Sequence, residues 1–285
     1  MAEQLLTQDQ VLEHSRALTA FPSIITEILS TLDDPEANLK ALVDHIKHDP
    51  LIAARVLSRA NVASTHTQSH SAIRDIYTAT SLIGMRSVRE MVLIGSVVGF
   101  MGQIAPAGLP ASFWQHSVAA GVCCEELSHS APVAVSPTAA LIAGLMHDIG
   151  QVWLYRFNAE AFRAAWLAAL DKAIGIEQAE REFFGADHAL IGSWLAERWS
   201  LPDSIVLAIR HHHAPDKALN EPLVPLVHVA EVLSNALDLT GREENRVTAL
   251  SLLACRQLGL TWDSEAHSLF GRMEARSRHA TSTFA

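Results

Sequence analysis

The chain of 285 residues contains little cysteine, glycine and proline and few aromatic side chains. Its three cysteines, two of them adjacent at Cys123 and Cys124, cannot form the disulfide framework of a small secreted protein. We therefore expect free thiols in the reducing cytoplasm. The 14 glycines and 11 prolines are too few for a turn-rich β fold, and the abundance of alanine and leucine favours helices.

Basic residues and long apolar runs are also scarce. Lys and Arg number 21 against 31 Asp and Glu, which gives a formal net charge of −10 with neutral histidines. A surface that binds nucleic acid is normally basic, so we do not expect a nucleic-acid partner. The apolar run MVLIGSVVGFM, residues 91–101, is shorter than a bilayer span requires, and the N-terminus lacks the pattern of a signal peptide. We expect a cytoplasmic protein without a membrane contact.

Apolar spacing predicts an all-α fold. The chain is 49% hydrophobic, enough for a sizeable core. The segment NLKALVDHI places its apolar residues on one helical face: Leu39, Leu42, Val43 and Ile46. Asp49 before Pro50 is typical of a helix start, and no strand-like alternation of useful length occurs.

A change in composition predicts two helical parts. The segment GQIAPAGLPAS, residues 102–112, concentrates glycine and proline and marks a boundary. We expect a small N-terminal bundle over 1–106 and a larger C-terminal bundle over 107–285. In the first, Ser71 caps a helix running to Gly84, and another helix follows from Ser87 to Gly99. In the second, helices are predicted over 113–129, 137–147, 158–184, 188–199, 202–213, 221–237, 244–257 and 264–278.

Several polar residues stand among apolar neighbours in the predicted C-terminal helices. They are His116, His147, Asp148, His188, the triplet His211–His213 and Glu231. A helical bundle builds a metal site from one or two such side chains per helix, and imidazole with carboxylate suits Fe, Mn, Zn or Ni. Asp148 is the natural bridge between two ions, an arrangement that activates water and clamps a phosphoryl group. The apolar run GLMHDIGQVWL then holds a His–Asp pair that ends a core helix at Gly150.

Each residue taken alone also has a structural explanation. An isolated His116 or His188 is commonly a hydrogen-bonded core histidine, the triplet could be a solvated helix end, and Glu231 could lie on the surface. Their joint occurrence favours the metal site. His228 shows no such pattern, and we expect a surface or locally hydrogen-bonded side chain there.

The order of these motifs resembles the HD superfamily of metal-dependent phosphohydrolases, and more closely its HDOD branch of bacterial signalling proteins. The similarity extends over residues 15–240, through the N-terminal FPSIITEILSTLDDPEANLKALVDHIKHDPLIAARVLSRAN and the C-terminal FWQHSVAAGVC, AALIAGLMHDIGQVWL, FGADHALIGSW, RHHHAP and VHVAEVL. The resemblance implies an all-α fold and a signalling or regulatory role. It also implies two metal ions, one held by His116, His147, Asp148 and Glu231, the other by Asp148, His188, His212 and His213.

Three positions depart from the active relatives. Glu231 stands where aspartate is expected, and Gln151 stands where lysine is usual. The segment after HHHAP reads DKALNEP and has no GYP sequence, so cyclic-di-GMP phosphodiesterase activity is disfavoured.

Two functions therefore remain open. The first is a regulatory protein whose N-terminal bundle binds a protein partner. The second is a phosphohydrolase acting on a nucleotide or another phosphoester, with Asp148 as the bridging catalytic carboxylate. An exposed face of the helix over Ser87–Phe100 would also allow a homodimer.

Overall fold

The computed structural model describes residues 5–18, 20–30, 35–65, 72–105, 108–239 and 249–284. Within these ranges the regular elements are all helices, which confirms the predicted all-α class. The chain divides into two compact units. The N-terminal unit is Pro22–Gly99, and the C-terminal unit combines Phe100–Thr283 with the residues up to Phe21. The boundary predicted at residue 106 lies outside the described residues.

Four helices and most of a fifth form the N-terminal unit. They are α2 (Ser23–Ser30), α3 (Pro35–His48), α4 (Pro50–Thr65), α5 (Ile76–Ile83) and the start of α6 (Met85–Ile104). The predicted apolar face of α3 is confirmed where it is described, because Leu42, Val43 and Ile46 are buried. Asp49 begins α4 as predicted: its Oδ1 accepts hydrogen bonds from the backbone nitrogens of Leu51 and Ile52, both at 3.0 Å.

Helix α5 begins later than predicted. Asp75, whose carboxylate accepts from the Thr78 nitrogen, occupies the N-cap position. The predicted cap Ser71 lies outside the described residues.

Helix α6 is longer than the sequence predicted. Its 20 residues meet the length and apolarity criteria for crossing a membrane, the one helix among the described residues that does so. The helix is therefore longer than the apolar run from which no membrane span was predicted, but 56% of the most apolar stretch of the helix is buried inside the protein, as in a core helix. Between Met85 and Phe100 only Arg86 and Gly99 are exposed, so this helix offers no large exposed apolar side chain for a dimer contact.

Eleven α-helices, besides the end of α6 and two short 3-10 helices (Ser15–Ala17 and Pro215–Lys217), lie in the C-terminal unit within the described ranges. They are α1 (Gln8–His14), α7 (Ala111–Ser128), α8 (Pro137–Met146), α9 (Ile149–Phe157), α10 (Ala159–Lys172), α11 (Ile176–Phe184), α12 (His188–Arg198), α13 (Asp203–His211), α14 (Leu223–Ala236), α15 (Leu252–Gln257) and α16 (Ser264–Phe284). Helix α7 packs against α8 and α14, while α12 packs against α9 and α13. These contacts bring the ends of α8, α12 and α13 together.

Two features of this unit differ from the prediction. The helix predicted over 158–184 is two helices, because Ala173 adopts a left-handed conformation with φ of 53° and ends α10. Gly150 does not end a helix. Helix α8 ends at Met146, and Gly150 lies in the first turn of α9, where a Cβ atom would lie 2.0 Å from the carbonyl oxygen of His188. Of the helix predicted over 244–257, residues 244–248 lie outside the described residues.

Candidate metal centre

The fold brings all seven predicted ligand residues together in two groups. His116, His147 and Glu231 form the first group, and Asp148, His188, His212 and His213 form the second. In each group one potential ligand atom per residue lies within 4.8 Å of all the others. The side chains come from α7, the turn between α8 and α9, the first residue of α12, the end of α13 and α14.

The Asp148 carboxylate lies between the groups and directs one oxygen toward each. Its Oδ2 lies 3.5 Å from Nε2 of His116 and 3.4 Å from Nε2 of His147. Its Oδ1 lies 3.2 Å from Nε2 of His188 and 3.9 Å from Nε2 of His212. An aspartate at a helix N-cap usually accepts from the first backbone N–H groups, but Asp148 makes no such side-chain bond at the start of α9. The carboxylate oxygens therefore face the histidine rings and do not cap the helix.

Backbone carbonyls fix the tautomers of two histidines. Nδ1 of His147 lies 2.7 Å from the Gly144 oxygen, and Nδ1 of His212 lies 2.7 Å from the Ile209 oxygen. A carbonyl oxygen can only accept, so Nδ1 carries the hydrogen in both rings. In the neutral ring Nε2 then has a free lone pair, and this nitrogen faces the Asp148 carboxylate in both cases.

In each group, histidine Nε2 atoms face one another across short distances, and this arrangement fits a bound cation. Nε2 of His116 lies 3.3 Å from Nε2 of His147, and Nε2 of His188 lies 3.3 Å from that of His212 and 2.9 Å from that of His213. Lone pairs and carboxylate oxygens at these distances repel one another unless a proton or a metal ion lies between them. Imidazole nitrogens with carboxylate oxygens are the ligands of first-row divalent metals. The two groups could therefore hold a divalent metal.

Burial and neighbouring charge shift the pKa values in the second group. Burial, reinforced by neighbouring histidines, holds the pKa values of His212 and His213 well below the usual range, so both are neutral at pH 7. Burial alone would lower the pKa of His188, but the carboxylates of Glu180 and Asp148 raise it well above its usual value. Burial alone would raise the pKa of Asp148, but the surrounding histidines hold it well below its usual value. Asp148 is therefore ionised, and His188 carries a proton between two carboxylates.

Three buried residues that contact the site were not assigned to it from the sequence. Nε2 of Gln151 donates to Oδ1 of Asp148 at 2.9 Å. Glu180 accepts from both the ring and the backbone nitrogen of His188. His228, which was expected on the surface or in a local hydrogen bond, is buried, donates from Nδ1 to the His212 oxygen at 2.7 Å and accepts the Ser251 N–H at Nε2. For Gln151 and His228 the available signal was a polar residue among apolar neighbours, whereas Glu180 lies in a largely polar helix and gave no such signal.

The family model of the HDOD domain matches residues 18–215 of this chain. An uncharacterized protein of Treponema pallidum (strain Nichols) is 26% identical over 228 residues, which is 76% of this chain and 42% of the relative. The chain thus spans less than half the length of this curated relative.

Two solved structures share the fold. An HDOD domain protein of unknown function from Geobacter sulfurreducens has a TM-score of 0.76 at 22% identity, covering 97% of this chain and 95% of that one. A candidate phosphohydrolase from Shewanella amazonensis SB2B has a TM-score of 0.70 at 24% identity, covering 96% of this chain and 98% of that one.

Proposed function

The chain belongs to the HDOD domain family, and from this premise we propose that it is a bacterial signal-transduction protein whose C-terminal unit holds two divalent metal ions. The observation that supports this most directly is the Asp148 carboxylate, which directs one oxygen toward each of two imidazole groups. A carboxylate shared in this way is the usual bridge of a two-metal centre.

Each of the two groups supports one ion of the proposed pair. His116, His147, Glu231 and Asp148 would hold one ion, and Asp148, His188, His212 and His213 would hold the other. Five imidazoles with two carboxylates suit Fe, Mn, Zn or Ni rather than Mg or Ca. Such a pair of ions, when bound, acidifies water and stabilises charge on a phosphoryl group. Burial of so many ionisable groups is tolerable because the ions supply the compensating charge.

Burial of the ligands favours regulation over turnover. Six of the seven ligand side chains are at most 8% exposed, and only that of His213 is more accessible, at 13%. A nucleotide would need to reach the reacting centre past these side chains. The residue near Asp148 is the neutral Gln151, whose amide is already hydrogen-bonded to the carboxylate, so this position supplies no cation for a phosphate. A centre of this kind suits an ion-dependent conformational or sensing role.

Metal content tests the proposal. Untagged protein, dialysed against Mn(II) or Zn(II) and then against metal-free buffer, is analysed by elemental mass spectrometry. We expect about two ions per chain in the wild type and fewer than one in Asp148→Ala and His147→Ala. His129→Ala, which removes an exposed histidine at the end of α7, is the matched control and should retain both ions. Folded wild-type protein that retains no ion contradicts the proposal.

Phosphoester hydrolysis is the second candidate. It is favoured by the complete set of ligand residues and by the shared fold with the Shewanella candidate phosphohydrolase. In that case Asp148 would hold both ions at a fixed spacing. Turnover of bis(p-nitrophenyl) phosphate by the two-ion protein, lost in Asp148→Ala, would establish it. A two-ion protein that leaves this ester and a panel of nucleotides intact would support the regulatory role.

A regulatory role also requires a partner, and we propose a protein partner for the N-terminal unit. Three of its large apolar side chains are more than half exposed: Leu51 (61%), Val62 (55%) and Tyr77 (55%). Burying apolar side chains of this size against a partner is favourable. Cross-linking with mass spectrometry should capture a protein on the wild type and lose it with Leu51→Asp and Tyr77→Asp combined. Sedimentation velocity then distinguishes a second copy of this chain from a different protein.

A further inference from the structure

The side chain of Glu180 belongs to the helix before the metal centre and to neither ligand group. Helix α11 carries it, and the following helix α12 begins at His188. Its Oε2 lies 2.6 Å from Nδ1 of His188 and 2.8 Å from the backbone nitrogen of the same residue. A carboxylate only accepts, so His188 donates both hydrogens and must present Nε2 to Asp148. One carboxylate oxygen thus fixes both the tautomer and the ring orientation of a proposed ligand.

Burial makes this contact unusual for a structural carboxylate. Glu180 is 0% exposed, and its Oε1 has no hydrogen-bond partner within the described residues. In the same part of the chain, its only ion pair is with His188. A buried carboxylate is costly unless a cation compensates it. The positive charge that compensates Glu180 therefore comes through His188, either from its own ring proton or from an ion bound at its Nε2.

Charge counting supports the same conclusion. Among the seven proposed ligands only Asp148 and Glu231 are carboxylates, so two divalent ions would leave an excess of positive charge in a buried site. Asp148 is the one carboxylate among the four residues of the second group. Glu180 is one imidazole ring away from that group, and a carboxylate behind a ligand histidine raises the basicity of the coordinating nitrogen.

We propose that Glu180 is a positioning residue of the metal centre, which holds His188 for coordination through Nε2 and adds negative charge to the second group. This inference rests on the proposed two-ion function. Removing the charge of Glu180 alone should lower the affinity of the second group for its ion by about 10–100-fold, the usual effect of losing such an outer carboxylate. The ion of the first group should be affected little.

Glu180→Gln isolates the charge because both hydrogen bonds run to one oxygen, which the glutamine carbonyl can replace. Glu182→Gln is the matched control: it lies on the same helix, and its ion pair with Lys172 is at the surface. Co(II) is titrated into each metal-free protein and followed by visible absorption, with circular dichroism as the check of folding. We expect the wild type and Glu182→Gln to bind two Co(II) ions tightly. Glu180→Gln should bind one Co(II) ion tightly and the other with lower affinity.

The outcomes separate the two claims. Wild-type protein that binds no Co(II) would overturn the two-ion function itself. Two tight ions in the wild type and equally two in folded Glu180→Gln would overturn only the role of Glu180. Nitrogen-15 spectra of the wild-type histidines give a test that needs no variant. The ion-loaded protein should show a His188 ring protonated at Nδ1, and an Nε2–H tautomer would refute the positioning role.

Discussion

Replacing Gly150 with alanine should strongly destabilise the protein, although alanine is the better helix former. Gly150 lies in the first turn of α9, and a Cβ there would be 2.0 Å from the carbonyl oxygen of His188 and 2.7 Å from its carbonyl carbon. Ordinary contact of a Cβ with such atoms begins near 3.4 Å. The backbone of His188 would therefore have to retreat by more than an ångström.

Two opposing contributions decide whether Gly150→Ala raises or lowers the free energy of unfolding. Gly→Ala in a helix interior normally gains about 0.5–1 kcal/mol. Overpacking usually costs about 1–3 kcal/mol, and here the obstructing group is backbone, which no rotamer change can move. Displacing His188 also weakens its charge-assisted bonds to Glu180, each worth about 1.5–3 kcal/mol. We expect a net loss of at least about 3 kcal/mol, a large share of the roughly 5–15 kcal/mol that stabilises a typical protein.

Urea unfolding of metal-free protein measures this loss. Gly271→Ala is the matched control, because Gly271 lies within α16 with no heavy atom within 4 Å of an added Cβ. The control should unfold at the same or a slightly higher urea concentration than the wild type. If Gly150→Ala is as stable as the wild type or as Gly271→Ala, the close approach of α9 to His188 is not a constraint and the reasoning is refuted.

Three further predictions concern titration. Burial raises the pKa of the Cys123 thiol to about 12 and that of Cys124 well above its usual value, so neither should react with Ellman's reagent at pH 8 until denaturant is added; rapid reaction of either in native protein would contradict their burial. The pKa values of His212 and His213 are lowered in the folded protein, so the unfolded chain binds more protons below pH 6.5. The free energy of unfolding of metal-free protein should therefore fall below pH 6.5, by up to about 1.4 kcal/mol per pH unit for each proton. Urea midpoints that stay constant from pH 6.5 to 5 would argue against this. His188 has a raised pKa and is protonated at pH 7, so metal binding should release its proton and become tighter as the pH rises. Calorimetry in buffers of different ionisation enthalpy should show this proton release. Identical heats of binding in all buffers would show that no proton leaves.

The sequence singled out the residues that the fold brings together in the two groups, but not the residues that contact them from behind. His147 and Asp148 interrupt an apolar run, and His116 precedes another, so their polarity sets them apart from their immediate neighbours. Glu180 does not stand out in this way, because its role depends on a turn that returns α12 to α11 eight residues later. The contact of His228 with the His212 oxygen likewise joins residues 16 positions apart, which no local pattern reveals.

Helix boundaries failed where tertiary contacts decided them. Gly150 was expected to end a helix, because glycine is common at helix C-termini, but its small size is needed for the approach of His188. The break between α10 and α11 depends on a left-handed Ala173, a conformation that the residue type does not favour. Asp49 was correctly predicted as a cap because its role is fulfilled within three residues.

The most direct test of the central claim is the electron paramagnetic resonance spectrum of protein loaded with Mn(II). If Asp148 bridges two ions, wild-type protein with two Mn(II) per chain should show an exchange-coupled spectrum that differs from that of isolated ions. Asp148→Ala loaded to the extent it permits should show only uncoupled Mn(II). A simple six-line spectrum from fully loaded wild type, or saturation at one ion per chain, would contradict a carboxylate-bridged pair and with it the proposed two-metal centre.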